Sequence, residues 1–205
     1  MTEIVLLRHG ETEWDKQNRL HGLAPVPLTM AGRDAVESIG RELASAYEFD
    51  RVYTAGTRAA RETIALVRLA GVAHSGTVDP AWGPREAGIF QGLAYEELEL
   101  VGERNTPRSD VDVLSSHPRG GENHNEARRR VLTKWRWLCE NARDETVLVV
   151  THDFPIATVR ASVAETSTVG NVAAYAPGKC SKTTVSISGD EQSVSEPEIE
   201  HGELV

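Results

Sequence analysis

Arg8-His9 follows an apolar run, Glu3-Ile4-Val5-Leu6-Leu7, and His152-Asp153 follows another, Glu145 to Val150, one residue after it. A third short run, Arg51-Val52-Tyr53-Thr54, leads to Thr57-Arg58. A lone histidine after a strand reads most simply as a half-buried imidazole with its hydrogen bonds satisfied. Two of them, one beside an arginine, with a second arginine after a third run, describe an anion pocket with a nucleophile inside. An imidazole attacks only when neutral, and adjacent Arg8 and Arg58 disfavour its protonated form. The bland alternative for Arg58 is a solvated first-turn residue, although a cation there opposes the helix dipole.

These residues need elements to hold them. Glu3 to Leu7 and Glu145 to Val150 read as buried strands, and Arg51 to Thr54 as a shorter one. Glu11-Thr12-Glu13-Trp14 starts a helix with acids in its first turn. Thr29 caps a longer helix, with Ala31, Ala35, Ile39, Leu43 and Ala46 as its apolar stripe. A helix from Arg58 to about Ala70 closes at Gly71. Residues 72–92 read as loop with a weak strand near Gly76-Thr77-Val78, and Tyr95 to Gly102 as a brief acidic helix. The longest helix runs from Glu122 to about Asn141, with Val131, Trp135 and Leu138 on one side; Trp137 cannot share that face. Phe154 to Val163 is helical, with Pro155 tolerated in the first turn. Thr183, Val185 and Ile187 alternate with polar residues as a half-exposed strand. The acidic end is an edge strand or a frayed tail. Alternating strands and helices predict an α/β domain: a mostly parallel central sheet with helices on both faces, and a small cap near residues 93–121 over the strand carboxyl ends. Ligands of such folds bind at those ends, so His9 and His152 meet if their strands are neighbours.

At 205 residues the chain fits one domain, expected over 1–189, followed by an acidic segment, 190–205. The net charge is −9, and that segment holds six acids and no Lys or Arg; without it 25 acids face 22 bases. A near-neutral body with no basic stripe argues against a nucleic-acid partner. No run approaches the ~18 apolar residues of a membrane span, and the N-terminus lacks a signal-peptide pattern. Cys139 and Cys180 form neither a disulfide framework nor a CxxC pair, which fits a reducing cytoplasm. His117 and His124 lack a third metal ligand and read as cap or surface residues. Gly178-Lys179 is a poor phosphate-loop match, because Ala173 and Cys180 stand at required positions.

Arg8-His9-Gly10-Glu11-Thr12 after an apolar strand resembles the signature of the histidine phosphatase superfamily, the phosphoglycerate-mutase-like proteins. The resemblance spans nearly the whole chain. It continues through Trp14 to Gly22, Pro27 to Gly32, Arg58-Ala59-Ala60-Arg61-Glu62-Thr63, Gly88-Ile89-Phe90-Gln91-Gly92, Gly120-Gly121-Glu122 and Thr151-His152. It implies a metal-independent phosphomonoesterase with no cofactor. His9 would form a phosphohistidine that water hydrolyses, and Arg8, Arg58 and His152 would clamp the phosphate. Two departures stand out: the family has Asn where this chain has Asp15, and its general acid, a Glu, falls at Pro84. The resemblance favours Glu86 as the acid after a two-residue deletion, with Asp153 as competitor; Asp15, His21 and Gly22 are further substrate-binding or acid candidates. The expected partner is a small phosphorylated metabolite, with no nucleic acid or membrane, and an oligomer is compatible with the sequence. A phosphoglycerate mutase or a phospholigand-binding protein without turnover are the alternatives. The short segment 93–118, with Arg104 and Arg108 as its cations, favours water as the phosphoryl acceptor.

Overall fold

The computed structural model describes residues 1–98, 117–165, 175–189 and 191–195. Six strands form one sheet: β1 (Thr2–Arg8), β2 (Arg51–Thr54), β3 (Thr77–Val78), β4 (Thr146–Thr151), β5 (Lys182–Ser188) and β6 (Glu191–Ser195). Their spatial order is β3-β2-β4-β1-β5-β6. The first four are parallel, β5 pairs antiparallel with β1, and β6 pairs antiparallel with β5. Among the described residues, they are accompanied by the helices α1 (Glu13–Lys16), α2 (Met30–Ala46), α3 (Arg58–Leu69), α4 (His124–Asn141) and α5 (Asp153–Val163).

The chain steps from β1 past β4 to β2 and β3, then returns to β4. Right-handed crossovers therefore put α2 and α3 on one face and α4 on the other. Side-by-side packing of α2 with α3, and of α4 with α5, agrees with this. Ile4 to Leu7 and Val147 to Val150 are completely buried, as strands covered on both faces must be.

The α/β expectation holds, with refinements. Thr29 caps α2, and its buried stripe is Gly32, Val36, Gly40 and Leu43: Leu43 is as expected, and the other three each lie one residue after Ala31, Ala35 and Ile39. Two glycines on the inner face allow close backbone approach, which a count of apolar side chains overlooks. A Cβ on Gly40 would lie 2.8 Å from Ala70 Cβ and 3.2 Å from Val67 Cα, so α2 and α3 touch there. On β5, Thr184 is buried as well as its neighbours, under Tyr47. Trp135 is buried whereas Trp137 is exposed, with the Lys134 ammonium 3.5 Å above its ring. Two single 3₁₀ turns, Pro80–Trp82 and Gly88–Phe90, break the loop read over 72–92. The sheet runs to Ser195 through β6, past the boundary expected at 189. Most of the expected cap, and the acidic end beyond Ser195, lie outside the described residues. Cys139 and Cys180 are free.

Candidate active site

β1 and β4 are neighbours in register, Arg8 opposite Thr151, and the His9 N–H donates to the Thr151 carbonyl at 3.0 Å. That pairing delivers both histidines to one place. Their rings lie edge to face with centroids 4.5 Å apart, and each residue is about 3% exposed. Both line a cavity of about 470 Å³ together with Arg8, Asp15, His21, Gly22, Arg85, His124, Asp153 and Lys179.

The hydrogen bonds fix the tautomer of His9. Its Nδ1 lies 2.8 Å from the Gly10 carbonyl, which only accepts, so Nδ1 carries the proton and Nε2 keeps the lone pair. Burial is the main force holding the imidazole neutral; Arg8 adds to it, against the Gly10 carbonyl, Asp15 and Asp153. Arg8 therefore contributes as expected, but burial contributes more. His152 is pushed well below its ordinary value by burial, then by His9, His21 and Arg8. Its Nε2 lies 2.8 Å from the Thr57 hydroxyl, which also accepts from the Ala60 N–H as the α3 cap. The Thr57 proton is then available to Nε2, leaving Nδ1–H as a donor. His152 is thus a neutral hydrogen-bond donor rather than a second cation.

Arg8 sits between carboxylates, 3.1 Å from Asp153 and 3.7 Å from Asp15, and also donates to the Pro177 carbonyl. Asp15 resolves its own departure from the family pattern by turning into the chain. It accepts from the Thr12 N–H and the Thr12 hydroxyl, completing a capping box on α1. Burial works against its charge, but bonds from His21 and Thr12 hold the carboxyl well below the usual range.

Two expected residues are not brought together with these. Arg58 is half exposed and pairs with Glu62 one helical turn on, at 2.7 Å, and it does not line the cavity. The reason is helical phase: Ala59, Ala60, Thr63 and Ile64 form the inner face of α3, and Arg58 precedes it. Arg58→Ala is expected to change kcat by less than about threefold, as surface substitutions do; a hundredfold loss in steady-state assays would place Arg58 on the phosphate.

Glu86 is also exposed and outside the cavity. Its N–H bonds the Glu122 carboxylate and its carbonyl accepts the Glu122 N–H. This clasp turns the side chain out and leaves Arg85 lining the cavity instead. Arg130 fixes the same loop by donating to the carbonyls of Ala81, Gly83 and Pro84 while pairing with Glu122 at 2.6 Å. The sequence pattern does not mark Arg85 or Arg130 and marks Thr57 only as the neighbour of Arg58; Lys179, a poor phosphate-loop match, lines the cavity 3.4 Å from Glu11. His124 is not a surface residue: it is 6% exposed, packs edge-on to Phe154, and its Nε2 has no hydrogen-bond partner among the described residues. His117 is exposed and bonds the Gly121 carbonyl. Among the described residues no group of three or more His, Cys, Asp or Glu is placed to hold a metal ion.

A family model for the histidine phosphatase superfamily (branch 1) matches residues 4–199. The chain belongs to this superfamily. It is 28% identical over 155 residues to phosphoglycerate mutase-like protein 4 of Arabidopsis thaliana, covering 73% of this chain and 66% of that protein. Against the metal-independent phosphoserine phosphatase of the same plant it is 25% identical over 177 residues, 84% of this chain and 73% of the relative. Among solved structures, a phosphoserine phosphatase from Entamoeba histolytica superposes with a TM-score of 0.77 at 19% identity, over 97% of this chain and 98% of the other. A mycobacterial glucosyl-3-phosphoglycerate phosphatase gives 0.77 at 22%, over 95% and 97%. Both share the fold of this superfamily member.

The geometry sets a pH response. Buried His9 and His152 resist protonation in the folded chain, whereas unfolded histidines take up protons near 6.5. The unfolded state therefore binds more protons below that value, and stability falls as the pH drops through it. In an NMR titration of the imidazole Cε1–H signals, both should titrate below 6.5, and the urea midpoint should fall on acidification from 7 to 5. A His9 or His152 signal titrating at or above 6.5 would contradict the assignment.

Proposed function

We propose that this protein is a metal-independent phosphomonoesterase acting through a phosphohistidine on His9. The observation that carries this reading is the neutral His9, with a free Nε2, lining a cavity beside Arg8 and His152. Arg8 would draw in the phosphate and His152 Nδ1–H would donate to an equatorial oxygen as charge spreads in the loose transition state. His9 Nε2 bonds phosphorus as the ester oxygen leaves, and water then cleaves the N–P bond, returning His9 and releasing phosphate. The relatives carry both names, a metal-independent phosphoserine phosphatase and 2,3-bisphosphoglycerate-dependent mutases, so the choice of water over a second hydroxyl rests on the short segment 93–118 with its two arginines.

The partner is a small phosphorylated metabolite, not nucleic acid or a membrane, and the setting is the cytoplasm. No helix among the described residues is long and apolar enough to cross a membrane. A hydrolysis screen of sugar phosphates, glycerate phosphates, phosphoamino acids, nucleotides and an aryl phosphate, run in EDTA, tests the proposal. Turnover of at least one monoester is expected; activity that needs added metal contradicts it. One observation favours a second reading, ligand binding without turnover: Arg58 and Glu86 both lie outside the cavity. Saturable phosphate binding with no hydrolysis across the screen would select it.

A further inference from the structure

The phosphatase reading leaves the leaving-group oxygen without an acid, because Glu86 faces away and Pro84 stands at the family's position. We infer that His21, oriented by Asp15, is the general acid that protonates the leaving oxygen. The inference rests on the proposed phosphatase activity.

His21 lines the cavity with its ring centroid 5.8 Å from that of His9. Trp14 meets its ring edge to face at 6.0 Å. The turn after it is fixed by Gly22, whose φ of +54° strains any side chain and where a Cβ would lie 3.1 Å from the Ala87 nitrogen. The proton bookkeeping is determined by Thr12. Its hydroxyl gives its single proton to Asp15 Oδ2 at 2.7 Å, so at 3.0 Å it must accept from His21 Nε2. Asp15 Oδ2 itself is 3.5 Å from that nitrogen and compensates the charge of an imidazolium there. Nε2 is committed to this pair, and Nδ1 makes no hydrogen bond among the described residues, so its proton is the one available to a substrate in the cavity. A carboxylate holding one ring nitrogen while the other exchanges a proton is the logic of an Asp–His pair.

The other carboxylates and imidazoles of the cavity are badly set up to donate. Asp153 pairs with Arg8 at 3.1 Å and accepts from the Phe154 N–H at 2.7 Å, so its carboxylate oxygens are already engaged. Asp15 is held ionised. His9 and His152 are kept neutral, His9 as the nucleophile, and His124 is lowered by burial and by Arg85 and Arg128. In the step proposed, the His9 N–P bond forms, the P–O ester bond breaks, and the departing oxygen takes the Nδ1 proton of His21. Neutral His21 then takes a proton from the water that attacks the phosphohistidine, which restores both residues. Asp15 is a positioning residue in this scheme, and it explains why an acid is tolerated beside a phosphate site.

An aryl phosphate leaves without help, whereas an alkyl phosphate needs the proton. His21→Gln is expected to lower kcat about a hundredfold on β-glycerol phosphate, the range of acid–base catalysis, and less than about fivefold on p-nitrophenyl phosphate. Asp15→Asn should lower alkyl turnover and leave aryl turnover nearly unchanged. In the wild type, alkyl turnover should fall at alkaline pH where aryl turnover does not, a readout that does not depend on a variant folding. Equal losses on both substrates, no loss, or a split shown by Asp153→Asn instead would overturn the role of His21 while leaving the phosphatase reading intact. A wild type that hydrolyses the aryl ester alone has no working acid and also overturns it. Hydrolysis of neither ester overturns the phosphatase reading and this inference with it.

Discussion

His9→Ala is expected to lower kcat by at least about 10³-fold on any accepted monoester, roughly 4 kcal/mol of barrier. The substitution removes the only proposed nucleophile, so no covalent step remains. Arg8 and His152 stay in place, and their stabilisation of the phosphoryl group leaves a residual rate above water's. The fold should survive. The His9 backbone bonds to Thr151 and Cys180 are untouched, and among the described residues the ring's one hydrogen bond goes to the neighbouring Gly10 carbonyl. The ring also borders an existing cavity, so its loss enlarges a space already open. Steady-state assays with circular dichroism check both halves. A variant retaining more than a hundredth of wild-type kcat would remove His9 from the nucleophile's role.

Gly32→Ala is expected to destabilise the chain, against what helix propensity alone says. Ala in the first turn of α2 should add about 1 kcal/mol. However, a Cβ at position 32 would stand 2.2 Å from the Glu11 carbonyl oxygen and 2.8 Å from its nitrogen. Both are backbone atoms and neither can swing aside. A Cβ on Gly10 would likewise meet the Gly32 carbonyl at 2.7 Å, so two backbones are in mutual contact here. Overpacking of this kind costs about 3 kcal/mol, leaving a net loss near 2 kcal/mol and a Tm lower by roughly 4–8 °C. The displaced segment carries Glu11 and Thr12, so alkyl phosphate turnover should fall with it. A raised Tm in a thermal melt would show that the helix relaxes at no cost.

The same contact shows what the sequence could and could not convey. Strand ends were legible because β1 and β4 are continuous apolar runs, and a run buried on both faces leaves no other reading. Their adjacency was conditional, since parallel neighbours can be distant in sequence; the register of Arg8 on Thr151 supplies it. Arg58 was misplaced because the distance from a strand end says nothing of helical phase, and one residue separates the inner face of α3 from the outer. Glu86 was misplaced because a backbone clasp with Glu122, 36 residues later, decides which way its side chain points. Arg130 looks like an ordinary solvated helix charge until its three carbonyl partners are in view. Asp15 stands out in the sequence only as a departure from the family's Asn, whereas the hydrogen bonds it accepts from Thr12 and its 3.5 Å approach to His21 make it part of the site's framework.

The central claim is a covalent phosphohistidine on His9, and trapping it is the most direct measurement. The enzyme is mixed with a ³²P-labelled monoester identified by the screen, quenched in base within milliseconds, digested and sequenced by mass spectrometry. The account predicts label that survives base, is lost in acid, and maps to the peptide holding Arg8-His9-Gly10, with none on the His9→Ala variant. Label on another residue, label retained by His9→Ala, or rapid turnover with no labelled protein in the wild type would contradict it.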